Sequence, residues 1–300
     1  NQKLLIGPWS HAGSTSVFEY AGIDFGPQAD VDYDSLHVKW FDALLKGEDN
    51  GFLEESPVTL FIMGENKWHH ENEWPLARTQ YTNYYFHSGG DANSSSGDGV
   101  LSTQEPGRSE PVDEYVYDPR DPVPTNGGNL MFGPTPPGPF DHAEIETRDD
   151  VLVYSTPPLT QDVQVTGPVT VTLYAATSAR DTDFTAKLVD VHPDGKVINL
   201  ADGILRGRYH DNPRSFTKVD FLTPGTVYQF DIDLWATGNL FLEGHQIRVE
   251  ISSSNFPKYD RNLNTGNPQP QLETEIITAN QTIYHNAEYP SHITLPVIPR

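Results

Sequence analysis

The chain has no cysteine among its 300 residues. Disulfides and thiolate metal sites are therefore excluded. It has no apolar run approaching ~18 residues, the least a membrane-spanning helix requires. It is short of basic residues, with 19 Lys and Arg against 42 Asp and Glu, for a formal charge of −23. A surface of that sign repels phosphate backbones, so a nucleic-acid partner is not expected. Two motifs are also missing. No G-x-x-x-x-G-K loop is present to cradle a phosphate, and Gly127-Gly128 is followed by Asn129 instead of a lysine. No G-x-S-x-G turn is present to raise a nucleophilic serine, and Gly13-Ser-Thr-Ser16 lacks the closing glycine.

Turn formers, by contrast, are plentiful: 24 glycines and 25 prolines, with an apolar share of 36%. The length suffices for one large or two ordinary domains. Lys3 to Ile6 is a short apolar run that reads as a buried strand, stopped by Gly7-Pro8. Trp9-Ser10-His11 follow on the loop that leaves it. A rigid strand behind a loop with an imidazole at its tip is a common mounting for a catalytic base, although most loop histidines are ordinary surface residues.

Leu36, Trp40, Phe41, Leu44 and Leu45 recur at helical spacing, with Asp34 as a cap and Lys46-Gly47 as a stop. This predicts an amphipathic helix over 34–45 packed on a sheet. Val58 to Met63 reads as a buried strand ended by Gly64. Trp68 to Pro75 reads as a solvated surface loop. Its His69, His70 and Glu71 are not read as a metal site, because neighbouring side chains on a strand would point to opposite faces. Asp118 to Pro139 holds too many breakers for a regular element and reads as a long ordered loop over a domain junction.

After Tyr81 the pattern turns to period two. Val169, Val171 and Leu173 alternate with Thr170, Thr172 and Tyr174, and Phe184, Ala186 and Leu188 continue the theme. Asp194-Gly195 marks a hairpin turn, and Phe230 to Leu234, Ile247 to Ile251 and Ile293 to Val297 alternate again. Strands with one wet face predict a β-sandwich. Arg148-Asp149-Asp150 reads as a strand-start ion pair and not a calcium site, which would draw oxygens from several segments. Trp235, at a strand end, is equally well placed in a core or on the surface.

Taken in order, Ile6-Gly-Pro-Trp-Ser-His11, Trp40-Phe-Asp-Ala-Leu-Leu-Lys-Gly47, Leu60-Phe-Ile-Met-Gly64, Trp68, Trp74-Pro75, Asp118-Pro, Pro122 to Gly128, Asp149 to Tyr154, Gly203-Ile-Leu-Arg206, Gly244-His-Gln-Ile-Arg248 and Ser252 to Pro257 resemble the CocE/NonD family of serine hydrolases, over nearly the whole chain. The resemblance implies a mixed fold: the C-terminal remnant of an α/β-hydrolase domain at 1–78, followed by an all-β jelly-roll sandwich at 79–300. It implies that His11 is the catalytic histidine of a serine–acid–histidine triad whose serine and acid precede it, so that the chain is the C-terminal part of a larger enzyme and is inactive alone. The expected partners are a small ester, amide or short peptide substrate and the missing N-terminal hydrolase segment. The latter should cover Leu4, Leu5, Ile6, Trp40 and Phe41. No cofactor or metal is implied, no nucleic acid or membrane is expected, the sequence is compatible with cytoplasm, periplasm or secretion, and a homo-oligomer is compatible with it as well. The alternative is a non-catalytic jelly-roll module that binds a glycan through exposed tryptophans or serves assembly.

Overall fold

The computed structural model describes residues 2–11, 19–131, 135–212, 218–267 and 274–299. The Gly13–Ser16 stretch lies outside them. Two sheets carry the fold, a small one near the N-terminus and a large one beyond residue 80.

In the small sheet, β1 (Leu4–Ile6) runs parallel to β4 (Val58–Ile62), and β4 pairs antiparallel with β5 (Lys67–Glu71). Parallel neighbours cannot be joined by a tight turn. The connection between β1 and β4 carries a two-residue hairpin, β2 (Glu19–Tyr20) and β3 (Ile23–Asp24), and then helix α1 (Tyr33–Phe41). Asp32 caps α1 by accepting from the Ser35 amide at 3.0 Å, so the cap is two residues earlier than Asp34. One wider turn, Asp42–Lys46, extends α1 until Gly47, at φ 71°, ends it.

The helix departs from the sequence expectation in its packing. None of its nine residues is buried; Leu36 and Trp40 are half-covered, and the apolar residues Val38 and Phe41 face solvent. Residues 67–71 also depart from it, since they form a strand and not a loop. The gain is the β4 ladder: paired with β5, it satisfies backbone groups that a loop would leave to water.

The large sheet holds strands β6 (Gln80–His87), β7 (Val100–Ser102), β8 (Asp113–Tyr117), β9 (Leu152–Ser155), β10 (Val163–Thr177), β11 (Asp183–Val191), β12 (Val197–Arg206), β13 (Tyr228–Phe241), β14 (Gln246–Ser252), β15 (Ala279–Tyr284) and β16 (His292–Ile298). Their order is β12-β11-β14-β9-β7-β6-β16-β10-β15-β8, with β13 on β10, and the path folds over into a sandwich. Val171, Leu173, Phe184, Ala186, Ile232, Val249, Ile251 and Ile293 are all fully buried in one shared core, as their alternation predicts. Where β12 crosses β13, the backbones come so close that a Cβ on Gly203 would lie 2.2 Å from the Asp233 carbonyl oxygen. Only glycine fits there.

Strand β11 breaks the one-wet-face rule, for all nine of its residues are buried. Its second face lies beneath the 118–150 connection. Buried charges tie that connection down. Arg248 on β14 pairs with Glu146, His142 Nδ1 lies 3.1 Å from Glu250, and Lys187 Nζ lies 3.4 Å from the same carboxylate. The two sheets are joined through Met63, whose amide donates to Gly238 at 2.9 Å and whose carbonyl accepts from Leu240 at 2.8 Å. Val58, Leu60 and Ile62 pack on Leu240, giving the small sheet a core shared with β13.

Candidate active site

The strand β1 ends at Ile6, and the chain turns through Gly7 so tightly that a Cβ there would lie 2.6 Å from the Trp9 ring. Glycine therefore lets the indole fold back over its own strand. Trp9 Nε1 donates to the Ala29 carbonyl at 3.0 Å, and the ring meets Trp68 at 5.6 Å between centroids. Trp68 in turn packs edge-on against Phe61 and donates its Nε1 to the Gln28 carbonyl at 2.7 Å. Phe25, Ala29 and Phe61 are buried beneath this aromatic stack. An anchored tryptophan next to Ser10-His11 gives the imidazole a firm base while leaving it exposed.

His11 borders a cleft of about 400 Å³. The near wall is 7–11 with Phe25 and Met63, and the far wall is drawn from the 118–139 loop and from β12 through Asn199 and Leu200. Among the described lining residues, His11 is the one titratable side chain, and no carboxylate lines the cleft. The walls are otherwise apolar apart from Ser10, Asn129 and Asn199. Asn199 is buried behind the wall, and its enclosed Oδ1 has no hydrogen-bond partner among the described residues.

The far wall is built by Gly127-Gly128. Gly127 and Gly128 have φ of 72° and 94°, in the range that side chains disfavour. Gly128 and Gly138 exchange amide–carbonyl hydrogen bonds at 2.7 and 3.0 Å, closing a loop whose residues 132–134 lie outside the described set. Lys258 bonds both Asn129 and Asp202, pinning this loop to β12. Burial lowers the Lys258 pKa, against the opposing pull of Asp202. The Gly-Gly pair is visible in the sequence, but its meaning depends on a partner ten residues on.

The other singled-out residues do not reach the cleft. His69 Nε2 lies 2.8 Å from Glu65 and His70 Nδ1 lies 3.2 Å from Thr59 Oγ1, so the two rings serve different partners. Glu71 is held by two bonds from Arg78, which keep its carboxyl below the usual range despite partial burial. Arg148 bonds Asp150 at 2.7 Å and reaches Asp121, the ion pair expected just before β9. Trp235 is 68% exposed. It occupies a β-bulge, since Leu234 and Trp235 together face Val169 of β10, and its φ is 65°.

Residues 50–294 match the family model described as the X-Pro dipeptidyl-peptidase C-terminal non-catalytic domain. Cocaine esterase from Rhodococcus sp. (strain MB1 Bresler) is 47% identical over 99% of this chain and 52% of its own length. An α-amino acid ester hydrolase structure superposes with a TM-score of 0.81 at 30% identity, covering 98% of this chain and 50% of that one. An aminopeptidase structure from a marine sediment archaeon, Thaumarchaeota archaeon, gives a TM-score of 0.79 at 29% identity over 91% of this chain and 45% of that one. The chain thus spans about half the length of the relatives it matches. It belongs to the CocE/NonD hydrolase family, as a C-terminal portion carrying that family's X-Pro dipeptidyl-peptidase C-terminal domain.

Proposed function

We propose that this chain is the C-terminal part of a serine hydrolase that cleaves ester or amide bonds through an acyl-enzyme, with His11 as its general base. The observation that carries the reading is the mounting of His11: just after β1, beside a half-buried, hydrogen-bonded aromatic anchor, on the rim of a cleft where no other described lining residue is titratable. In the proposed reaction the imidazole takes the proton of a serine hydroxyl as it attacks the substrate carbonyl. It then returns the proton to the departing alcohol or amine, and water releases the acyl group in a second round. The serine and the orienting acid are supplied by the rest of the hydrolase. The mostly apolar walls suit an uncharged acyl group.

Residues 1–78 are assigned to the closing part of an α/β-hydrolase domain, and residues 79–300 to a jelly roll. Support comes from the parallel β1–β4 pair bridged by a helical connection and from the start of the separate large sheet at β6. The missing hydrolase segment is the proposed cover for the apolar surface at Ile6, which is 52% exposed, Phe41 and Leu45.

The test is His11→Ala in the full-length enzyme. Loss of a triad member costs ~10⁴-fold or more in kcat, while a surface histidine substitution usually stays within ~0.5 kcal/mol of stability. Ester turnover should vanish with the melting temperature nearly unchanged, and His37→Ala, His69→Ala and His70→Ala should retain most activity. Turnover within tenfold of the parent would refute the assignment. A second reading, glycan binding, is favoured by the exposure of Trp235 beside Trp74 at an apolar cleft of about 590 Å³. Quenching of tryptophan fluorescence by oligosaccharides, lost in Trp235→Ala, would support that reading in place of catalysis.

A further inference from the structure

The strongest unassigned cluster lies away from the His11 cleft, where two tight turns meet. His192 follows β11 directly, just before the Pro193-Asp194-Gly195 turn, and His245 lies between Gly244 and the start of β14. Asp190, inward-facing on β11, stands between them. Its Oδ1 lies 2.8 Å from His245 Nδ1, and its Oδ2 lies 3.9 Å from His192 Nε2. The two imidazole rings are 4.4 Å apart between centroids. One ligand atom from each of the three residues falls within 4.8 Å of the other two.

We propose that Asp190, His192 and His245 bind a divalent cation of borderline softness, zinc above all, which clips the β11–β12 and β13–β14 turns together. Two imidazoles and one carboxylate are the donor set that zinc takes, at about 2.0–2.2 Å per bond, with water in the fourth position. Atoms sharing one such ion lie within about 4.2 Å of each other, so the cluster is within one small side-chain adjustment of a closed site. His192 can make that adjustment, because its side chain is one-third exposed, whereas Asp190 and His245 are nearly enclosed.

The backbone beneath each ligand is fixed. The His192 amide donates to the Lys196 carbonyl at 2.8 Å, the His192 carbonyl accepts from Gly195, and the His245 amide donates to the Leu242 carbonyl. Asn239 Nδ2 lies 3.3 Å from Asp190 Oδ2, the outer-shell bond that orients a ligating carboxylate. Gly244 takes the left-handed backbone conformation, φ 84°, that the turn before His245 requires, and it lies within van der Waals reach of Pro193. A chain with a formal charge of −23 concentrates cations around such a site. The sequence hides the site, because His192 and His245 are 53 positions apart and belong to different hairpins.

Full-length protein treated with a chelator and dialysed should take up one Co²⁺ at this site with the visible absorption of a four-coordinate ion, and Zn²⁺ should displace it. Saturating Zn²⁺ should raise the melting temperature by a few degrees. His192→Ala should abolish the absorption band and weaken Zn²⁺ at least tenfold, as outer-shell changes alone already do. His192→Gln, which keeps a polar side chain, should show the same loss. Both metal-free variants should melt within a few degrees of the metal-free parent. Absence of the Co²⁺ band in the parent, or an undiminished band in either variant, would overturn the site. Because these readouts do not involve ester turnover, the site stands or falls independently of the role of His11.

Discussion

The two ends of the molecule bury their residues in opposite ways. In the N-terminal part, α1 has no buried residue, Phe41 is 50% exposed and Leu45 is 78% exposed. In the sandwich, β11 has no exposed residue at all, and even its charged side chains are enclosed. The first region carries more apolar surface than its own partners cover. The second has more covering than its pattern calls for, because a loop has folded over a face that alternation would leave wet. One region leaves apolar side chains to solvent within this chain; the other supplies its own lid.

The widest separation should appear between a core phenylalanine and a helix phenylalanine. Phe184 is fully buried against Phe230 at 4.7 Å between centroids. Phe184→Ala should cost ~3–5 kcal/mol, the usual price of a large aromatic cavity. Phe41→Ala should cost under ~0.5 kcal/mol in this chain and clearly more in the full-length protein if the hydrolase segment covers α1. Urea unfolding of both variants in both lengths reads the contrast. Equal costs for Phe41→Ala in the two lengths would remove the proposed cover.

Next in size is Gly203→Ala. The added Cβ would meet backbone atoms of β13, which cannot swing aside as a flexible side chain could. The two layers must separate locally, at a cost of ~1–3 kcal/mol. Gly195→Ala makes the control, since a Cβ there meets nothing within 4 Å; its φ of 92° still strains the turn, but without any clash. A larger loss at Gly195 than at Gly203 would contradict the close crossing of β12 and β13.

How much of this the sequence disclosed depends on the range of the contacts involved. Val169, Val171 and Leu173 were legible because a strand's own pleat sets which way they point. Lys187 and Glu250 were not, because the connection that covers them is remote in sequence (His142 meets Glu250 across 108 positions), and period-two alternation carries no trace of it. The helix at 33–41 was legible as a helix, and its apolar spacing read as packing on a sheet; that spacing says which face wants cover but not whether this chain provides it. Trp235 was ambiguous for a related reason, since the bulge that turns it outward is a register event between β10 and β13. His11 stood out through the strand, the Gly7-Pro8 stop and the family resemblance. The far wall of its cleft did not, because Gly127-Gly128 acquires its role only by bonding Gly138.

The last expected effect is a slope against pH, and it tests the lid on β11. Glu146 is buried under that lid, paired with Arg248, and faces Glu250, while Lys187 of β11 and His142 of the lid lie against Glu250. Burial, then the neighbouring Glu250 charge, push the Glu146 carboxyl up to about 8, and Arg248 only partly offsets them. Glu250 goes the other way: burial alone would raise it, but the His142 and Lys187 charges prevail and hold it at about 2. A Glu146 whose folded pKa lies above its unfolded value binds more protons folded than unfolded. Its contribution is thus fully present below the unfolded pKa of roughly 4.3 and is lost as pH rises towards 8. The slope can reach about 1.4 kcal/mol per pH unit. Glu250 contributes in the opposite sense, but its window lies between about 2 and 4.3, below the range of the measurement. Melting temperatures of the parent and Glu146→Gln, taken from pH 5 to 8 at fixed ionic strength, isolate the difference from the general repulsion of a −23 chain, which both share. The parent should lose stability faster than the variant across that interval. Parallel curves would mean that Glu146 is ionised throughout and that the lid is held by its ion pair with Arg248 alone.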